Sequence, residues 1–341
     1  MNLPRLYLSR PATVLADGEL DNEDVIARVR DSFRGPTAEW PMIEMGIRYV
    51  FDRCNTKVRY LEVDKLMPPG EFAAEAALSC LKQNGVAATD VDLLVYGGIA
   101  REWFEPATAA EVAGRIGARP LHAFDVTCAC AGLVEALHTV SAYFALHPEI
   151  QTALVCAGEV TRDRVTYDIQ NLEDLAINVA GLTLGNAAAA MLVTRERLAP
   201  GGARLAGFAH KTLSDNWDLC RASVNGHFES KSKELFALGV NVVPELNRLL
   251  DNAGWSAEDV AHYAFHQPSE SSVERVLAKI GARPQAGIFT HSMYGNTAST
   301  SWALALDHRF KQGSVHPGDK IVIASAAAGF TIVAAAAEWE S

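Results

Sequence analysis

The stretch "NGVAATDVDLLVYGG" (Asn84 to Gly98) returns, loosened, as "AGWSAEDVAHYAFHQ" (Ala253 to Gln267). Gly85 falls on Gly254, Asp90 on Asp259 and Val91 on Val260, each 169 residues later. The same shift lays "CAGLVEAL" (Cys130 to Leu137) on "STSWALAL" (Ser299 to Leu306), and "LVCAG" (Leu154 to Gly158) on "IASAA" (Ile323 to Ala327). Ordered self-similarity at one offset is the mark of a duplicated unit. In each copy a helical pattern ends in a loop, a short apolar strand follows, then a second helix and a second strand. Short strands almost free of charge, set between helices, imply a sheet buried on both faces with helices outside it, an α/β class. The copies meet around "RERLAPGGAR" (195 to 204), which divides the chain into halves 1–198 and 199–341.

With 49% hydrophobic and 21% charged residues, the 341-residue chain can bury a large core. A net charge of −11 without clustered Lys and Arg argues against nucleic acid or an anionic membrane as a partner. The opening "MNLPRLYLSRPATVLADGEL" lacks an apolar segment followed by a cleavage site, so the expected compartment is the cytoplasm. The six cysteines are too sparse for a disulfide framework and lack zinc spacing, so reduced thiols are expected. The run "IVIASAAAGFTIVAAAA" (321 to 337) is short and Ala-rich for a bilayer span and reads as two buried strands joined by a turn. No P-loop or GxGxxG motif points to a nucleotide.

In "FDVTCACAGLVEAL" (Phe124 to Leu137), Leu133, Leu137, Val140 and Phe144 fall at helical spacing, while "LHAFDV" before them reads as a buried strand. Cys128 and Cys130 therefore sit at a strand-to-helix turn. There the free amides and the helix dipole favour a thiolate and can hold an oxyanion. Ala131 and Gly132 keep the approach open. Core packing is the competing account of either cysteine. A metal pair lacks further ligands nearby, and a CxC redox pair would be strained. "FHQPSE" places His266 at a strand end, and "YGNTAST" places Asn296, after Gly295, at a second strand-to-helix turn. By the repeat, these are the places of Gly97 and of the Cys130 turn in the first half. Halves packed about a pseudo-twofold axis bring Cys, His and Asn to one point.

Together "DVTCACAGL", "HQPS", "GNTASTSWALAL" and "PGDKIVIASAAAGFTIVAA" closely resemble the β-ketoacyl-acyl-carrier-protein synthase III (FabH-like) branch of the thiolase superfamily. The likeness extends over most of the chain and fades around residues 20–60 and 160–235. It implies a duplicated thiolase-like fold in α/β/α/β/α layers, the first half carrying the nucleophile and the second carrying His and Asn. Cys130, which directly precedes "AG", matches the family nucleophile, and Cys128 falls where the family has a small residue. His266 and Asn296 match the rest of the triad. The implied chemistry is an acyl-Cys130 intermediate followed by decarboxylative Claisen condensation with a malonyl-type thioester, in fatty-acid or specialised natural-product biosynthesis. His266 Nε2 and the Asn296 amide would donate to the enolate oxygen. The Cys130 amide and that of Ala328, in "SAAAGF", would form a second oxyanion site, provided Ala328 avoids positive φ. Acyl-CoA or acyl carrier protein as substrate, a homodimer, and no metal or prosthetic group complete the expectation.

Departures from the family pattern bear on substrate. Ser271 replaces a basic residue used in carrier docking, and Arg275, Lys279 and Arg283 either substitute for it or form a solvated face. "RCNTKVR" (Arg53 to Arg59) has Asn55 in place of Gly, a residue that tolerates left-handed backbone. "REWFE" puts Arg101 and Glu105 near the mouth of an acyl tunnel at a dimer interface. His291 is assigned a structural or surface role. Two rival functions remain: acyl transfer to a hydroxyl or amine with His266 as base, and a non-catalytic partner subunit. The presence of Asn296 favours carbon–carbon bond formation over the first. The intact triad argues against the second.

Overall fold

A computed structural model of the chain describes residues 4–61, 67–120, 122–161 and 163–341. Leu121, the first residue of the expected "LHAFDV" strand, lies outside them. The strands are β1 (Tyr7–Leu8), β2 (Ala12–Leu15), β3 (Gly18–Asp21), β4 (Val58–Leu61), β5 (Leu93–Tyr96), β6 (His122–Asp125), β7 (Thr152–Glu159), β8 (Ala187–Thr194), β9 (Gly202–Thr212), β10 (Cys220–Ala222), β11 (Phe228–Ser230), β12 (Val260–Phe265), β13 (Lys320–Ala327) and β14 (Thr331–Glu340). Ten of them join in the order β12-β13-β14-β9-β1-β8-β7-β5-β6, with β2 against β8. Pairings β5 with β6, β5 with β7, and β12 with β13 are parallel. The short β1 ties the half-sheets together by pairing with both β8 and β9.

The 169-residue offset holds in the backbone itself. Gly85 and Gly254 both end helices in left-handed conformation, at φ 65° and 69°, where a glycine lacks the Cβ that would clash. Matching 3₁₀ turns follow at Ala88–Asp90 and Ala257–Asp259. Ala129 and Ala298 share an unusual positive φ, 45° and 49°. Each opens a 3₁₀ turn that runs into a helix, Gly132–Leu146 or Ser301–Lys311.

Strand alternation builds the layers. Leu93 and Val95 turn inward with Ile321 and Ile323, onto Leu133, Leu137 and Phe144 of helix Gly132–Leu146 and Trp302 and Leu306 of helix Ser301–Lys311. Leu94 and Tyr96 turn outward onto helices Pro69–Asn84 and Thr108–Ile116. Val322 and Ala324 likewise meet helices Val242–Ala253 and Glu270–Ile280. The two half-sheets thus enclose an inner pair of helices and carry outer helices on their far faces, the α/β/α/β/α arrangement. Residues 129–146 are long and apolar enough to cross a bilayer by composition, and here they form the inner helix, half buried in the core. A cap built by helices Asn22–Ser32 and Trp40–Cys54 with Leu175, Leu182 and Leu184 has its own apolar cluster.

One expectation is corrected. The "LHAFDV" strand is not enclosed: β6 is the last strand of the sheet, with His122 exposed and Ala123, Phe124 and Asp125 half-buried, because among the described residues only β5 flanks it. The expected pair of strands at 321–337 forms as an antiparallel hairpin, β13 and β14.

The inner helix enters very close to β5. A Cβ on Gly97 would lie 2.6 Å from the Gly132 carbonyl oxygen, a backbone atom that cannot swing aside. Gly97→Ala is expected to destabilise the fold by about 1–3 kcal/mol, as overpacked cores do. A lower urea midpoint with unchanged slope would show it; an unchanged midpoint would contradict this packing.

Candidate active site

The Cys130 turn, the end of β12 and the Asn296 turn meet where the two halves face each other. The 3₁₀ turn bearing Cys130 packs on its counterpart Ala298–Thr300 and on β13. A chain of hydrogen bonds runs through all three. The Ser325 hydroxyl donates to the Cys130 carbonyl at 2.7 Å, and the neighbouring Ala324 carbonyl accepts the His266 amide at 2.8 Å. His266 Nδ1 lies 2.8 Å from Ser301 Oγ, which donates to the Ala298 carbonyl at 3.0 Å. The Ala298 amide in turn donates to Asn296 Oδ1 at 3.0 Å. This last bond commits the carboxamide oxygen and leaves the NH₂ of Asn296 as the donor end.

Backbone anchors fix the Asn296 turn from the cap. Asn296 N donates to Thr183 O at 2.8 Å, and Gly185 N donates to Asn296 O at 3.0 Å. Gly295, at φ 70°, passes so close to Thr183 O that a Cβ would sit 2.6 Å from it. Gln267, beside the histidine, accepts from the amides of Thr290 and His291 and donates to Ile288 O. It ties the end of β12 to the loop that leads to Asn296.

Burial sets the charges. His266 and Asn296 are 7% and 8% exposed, while Cys130 is half-buried and reachable. Burial pushes the Cys130 thiol well above its ordinary value, with Cys220 and Glu159 nearby acting in the same direction. The expected thiolate is thus opposed by burial, which favours a resting sulfur that keeps its proton. Burial also brings His266 down to about 4 and leaves it neutral. Glu159, raised by burial, takes the Ser299 hydroxyl and the amides of Ile99 and Ala100. It joins the first half to the residue that the repeat pairs with Cys130.

His291 is buried as well and likewise lowered to about 4, mainly by burial. Its ring spans Thr56 Oγ1 at 2.7 Å and Gln267 O at 2.9 Å, so its role is structural and not superficial. Both imidazoles bind a proton near pH 6.5 when unfolded and near 4 when folded. Between those values the unfolded chain holds more protons, so stability is full above about pH 6.5 and falls toward pH 4, by about 1.4 kcal/mol per pH unit for each ring. Glu159, with its proton held more tightly in the fold, offsets part of the loss. Urea midpoints are expected to fall from pH 7 to pH 5; equal midpoints would contradict the neutral, buried rings.

The remaining sequence candidates are placed as follows. Cys128 is half-buried, packs against the central core, and is pushed up to about 11 by burial. Ala328 lies in the β13–β14 turn, where Gly329 takes the positive φ of 95° and Ala328 does not. Asn55 adopts left-handed backbone at φ 57° as the helix cap. Arg101 is exposed and donates to Thr127 Oγ1 at 3.0 Å. Glu105 is exposed beside a cis bond to Pro106. Arg275 stacks on Phe236 and donates to the Phe236 carbonyl, so it fastens helix Ser232–Leu238 instead of lying free. Ser271 bonds the Arg53 carbonyl. Sequence patterns did not reveal Ser301, Ser325, Glu159 or Gln267. All six cysteines are free thiols. Among the described residues, no group of three or more His, Cys, Asp or Glu is set to hold a metal ion.

Comparison with known proteins adds a second line of evidence. The family model of 3-oxoacyl-[acyl-carrier-protein] synthase III matches residues 124–213, and the model of the C-terminal region of the same enzymes matches residues 250–339. The chain is 24% identical over 307 residues to β-ketoacyl-[acyl-carrier-protein] synthase III of Chelativorans sp. (strain BNC1), covering 87% of this chain and 92% of that one. It is 25% identical to the acyl-CoA:acyl-CoA alkyltransferase of Xanthomonas campestris, over 81% and 84% of the two chains. Its fold superposes on OleA of Xanthomonas campestris with bound lauric acid and lauroyl-CoA at a TM-score of 0.89, with 21% identity over 99% and 100% of the chains. FabH of Pseudomonas aeruginosa PAO1 gives 0.83, with 22% identity over 99% of each chain.

Proposed function

The chain belongs to the 3-oxoacyl-[acyl-carrier-protein] synthase III family and is an acyltransferase of that ketosynthase kind, and on that premise we propose a cycle run by Cys130, His266 and Asn296. Cys130 takes an acyl group from an acyl-CoA or acyl carrier protein thioester. A malonyl-type thioester then loses CO₂, and its enolate carbon attacks acyl-Cys130 to release a β-ketoacyl thioester. The Asn296 NH₂ and His266 Nε2 hold the enolate oxygen, and the amides of Cys130 and Ala328 hold the oxygen of the acyl group. The observation that carries this assignment is the hydrogen-bond chain from Cys130 through Ser325, His266, Ser301 and Ala298 to Asn296.

The test is incubation with a panel of acyl-CoAs and acyl carriers, first alone and then with malonyl thioester. A stable mass increment in the first step, then CO₂ and β-ketoacyl thioester in equal amounts, supports the cycle. A second reaction fits the same site, in which a second acyl-CoA replaces the malonyl group. It is supported by the alkyltransferase relative. Product formation without CO₂ from two acyl-CoAs would select it, and transfer to an alcohol or amine would reject both.

A homodimer belongs to the same proposal. Among the described residues the outer edge of β6 has no partner strand, and the loop after β5 exposes Trp103 and Phe104, the latter by 86%. An open edge beside bare aromatic rings favours pairing with a second copy. Sedimentation is expected to give the mass of two chains; a monomer at assay concentration would refute the dimer.

A further inference from the structure

Ser301 is the first residue of helix Ser301–Lys311, buried at 3% exposure, and three groups surround its hydroxyl. His266 Nδ1 lies at 2.8 Å, the Ala298 carbonyl at 3.0 Å and the Gln267 amide at 3.3 Å. The Gln267 N–H can only donate, and the Ala298 carbonyl can only accept. The hydroxyl therefore accepts from the first and spends its single proton on the second. Its remaining lone pair faces the imidazole, which satisfies all three contacts only if Nδ1 carries the hydrogen. A neutral ring protonated at Nδ1 has a bare Nε2.

The repeat shows that this bond is peculiar to the second half. At the matching positions of the first half stand Gly97 and Gly132, whose backbones approach too closely for any side chain. Where the first half has two glycines in contact, the second has a histidine and a serine sharing a hydrogen bond.

We propose that Ser301 is a positioning residue that fixes His266 as the Nδ1–H tautomer, so that Nε2 is the base that accepts the Cys130 proton during acyl loading. It rests on the acyl-transfer cycle above. As the sulfur bonds the thioester carbonyl carbon, the Cys130 proton passes to Nε2. As the donor C–S bond breaks, the proton passes on from Nε2 to the departing sulfur, so a neutral thiol leaves and Nε2 is bare again. One proton from solvent is taken up with the malonyl carboxylate, and the Nε2–H so formed donates to the enolate oxygen once CO₂ departs. When the enolate carbon attacks acyl-Cys130, the released Cys130 thiolate takes that proton from Nε2. Nδ1–H stays on Ser301 throughout. A resting thiol kept protonated by burial needs such a base, and a base kept neutral by burial is ready for it.

The experiment is ¹⁵N NMR of the full-length protein labelled at its ten histidines, with the His266 signals assigned by their loss in His266→Asn. Nδ1 is expected at the protonated position and Nε2 at the bare one. In Ser301→Ala the ring is expected to shift toward the Nε2–H form. The acyl-loading rate should fall about tenfold to a hundredfold with an unchanged acyl-CoA dissociation constant, and Ser301→Thr, which keeps the hydroxyl, should restore it to within about threefold. A bare Nδ1 in the wild type, or wild-type loading by Ser301→Ala, would overturn the inference. If no donor in the panel loads the wild type, the acyl-transfer cycle fails on its own, while the NMR spectrum still decides the tautomer.

Discussion

Cys130→Ala is expected to abolish acyl loading, leaving no mass increment with any donor that loads the wild type, and to lower turnover by more than about 10³-fold. The substitution removes one sulfur from a half-buried position at the head of the inner helix and leaves its backbone amide in place, so the fold is expected to survive. Two other thiols, Cys128 and Cys220, stay behind as internal controls. Both are pushed up to about 11 by burial, and neither is tied into the chain of bonds that reaches His266. Cys128→Ala is therefore expected to load like the wild type. Intact-mass measurement on the two variants distinguishes the cysteines directly. Loading that survives in Cys130→Ala would move the nucleophile elsewhere.

Asn296→Ala is expected to separate the two halves of the cycle. Acyl loading needs Cys130 and its base, so it should stay within about threefold of the wild type. Removing one preorganised donor from an enolate oxygen costs about 10²–10³ in rate, so malonyl-dependent CO₂ release should fall by that factor. The carboxamide also has a structural duty, since Oδ1 accepts the Ala298 amide in a turn where Ala298 holds positive φ. Asn296→Asp keeps an acceptor for that amide while removing the NH₂. It is expected to retain thermal stability and still lose CO₂ release. If Asn296→Asp releases CO₂ normally, the donor role is wrong.

Much of the fold is legible in the sequence. The repeat could be read because its landmarks are local: a glycine after each helix, an acid two residues into each 3₁₀ turn, and two strands with almost no charge. Cys130, His266 and Asn296 could be singled out because each lies where a strand ends or a helix begins and halves packed about a pseudo-twofold axis bring their turns together, while the choice of Cys130 over Cys128 rests on the family resemblance. What escaped was set by tertiary contact. Ser301 and Glu159 show no local pattern, because their partners lie 35 and 140 residues away in the chain. The exposed edge of β6 depends on the order of strands in the sheet, which hydrophobic runs do not encode. The protonation of Cys130 is not legible because a helix terminus is visible in sequence, whereas the burial that holds the proton, and the nearby Glu159 and Cys220 that act the same way, come from tertiary packing. The stretch 160–235, where the family likeness also fades, nevertheless anchors the Asn296 turn through Thr183 and Gly185.

Peptide-resolved mass spectrometry through a single turnover bears most directly on the whole account. The enzyme is loaded with one equivalent of acyl-CoA, sampled, and then given malonyl thioester. The expected result is an acyl group on the peptide containing Cys130 that disappears on the chase, with one CO₂ and one β-ketoacyl thioester formed per acyl group lost. An acyl group found on Cys128 or Cys220, or one that stays on Cys130 while CO₂ is released, would contradict it.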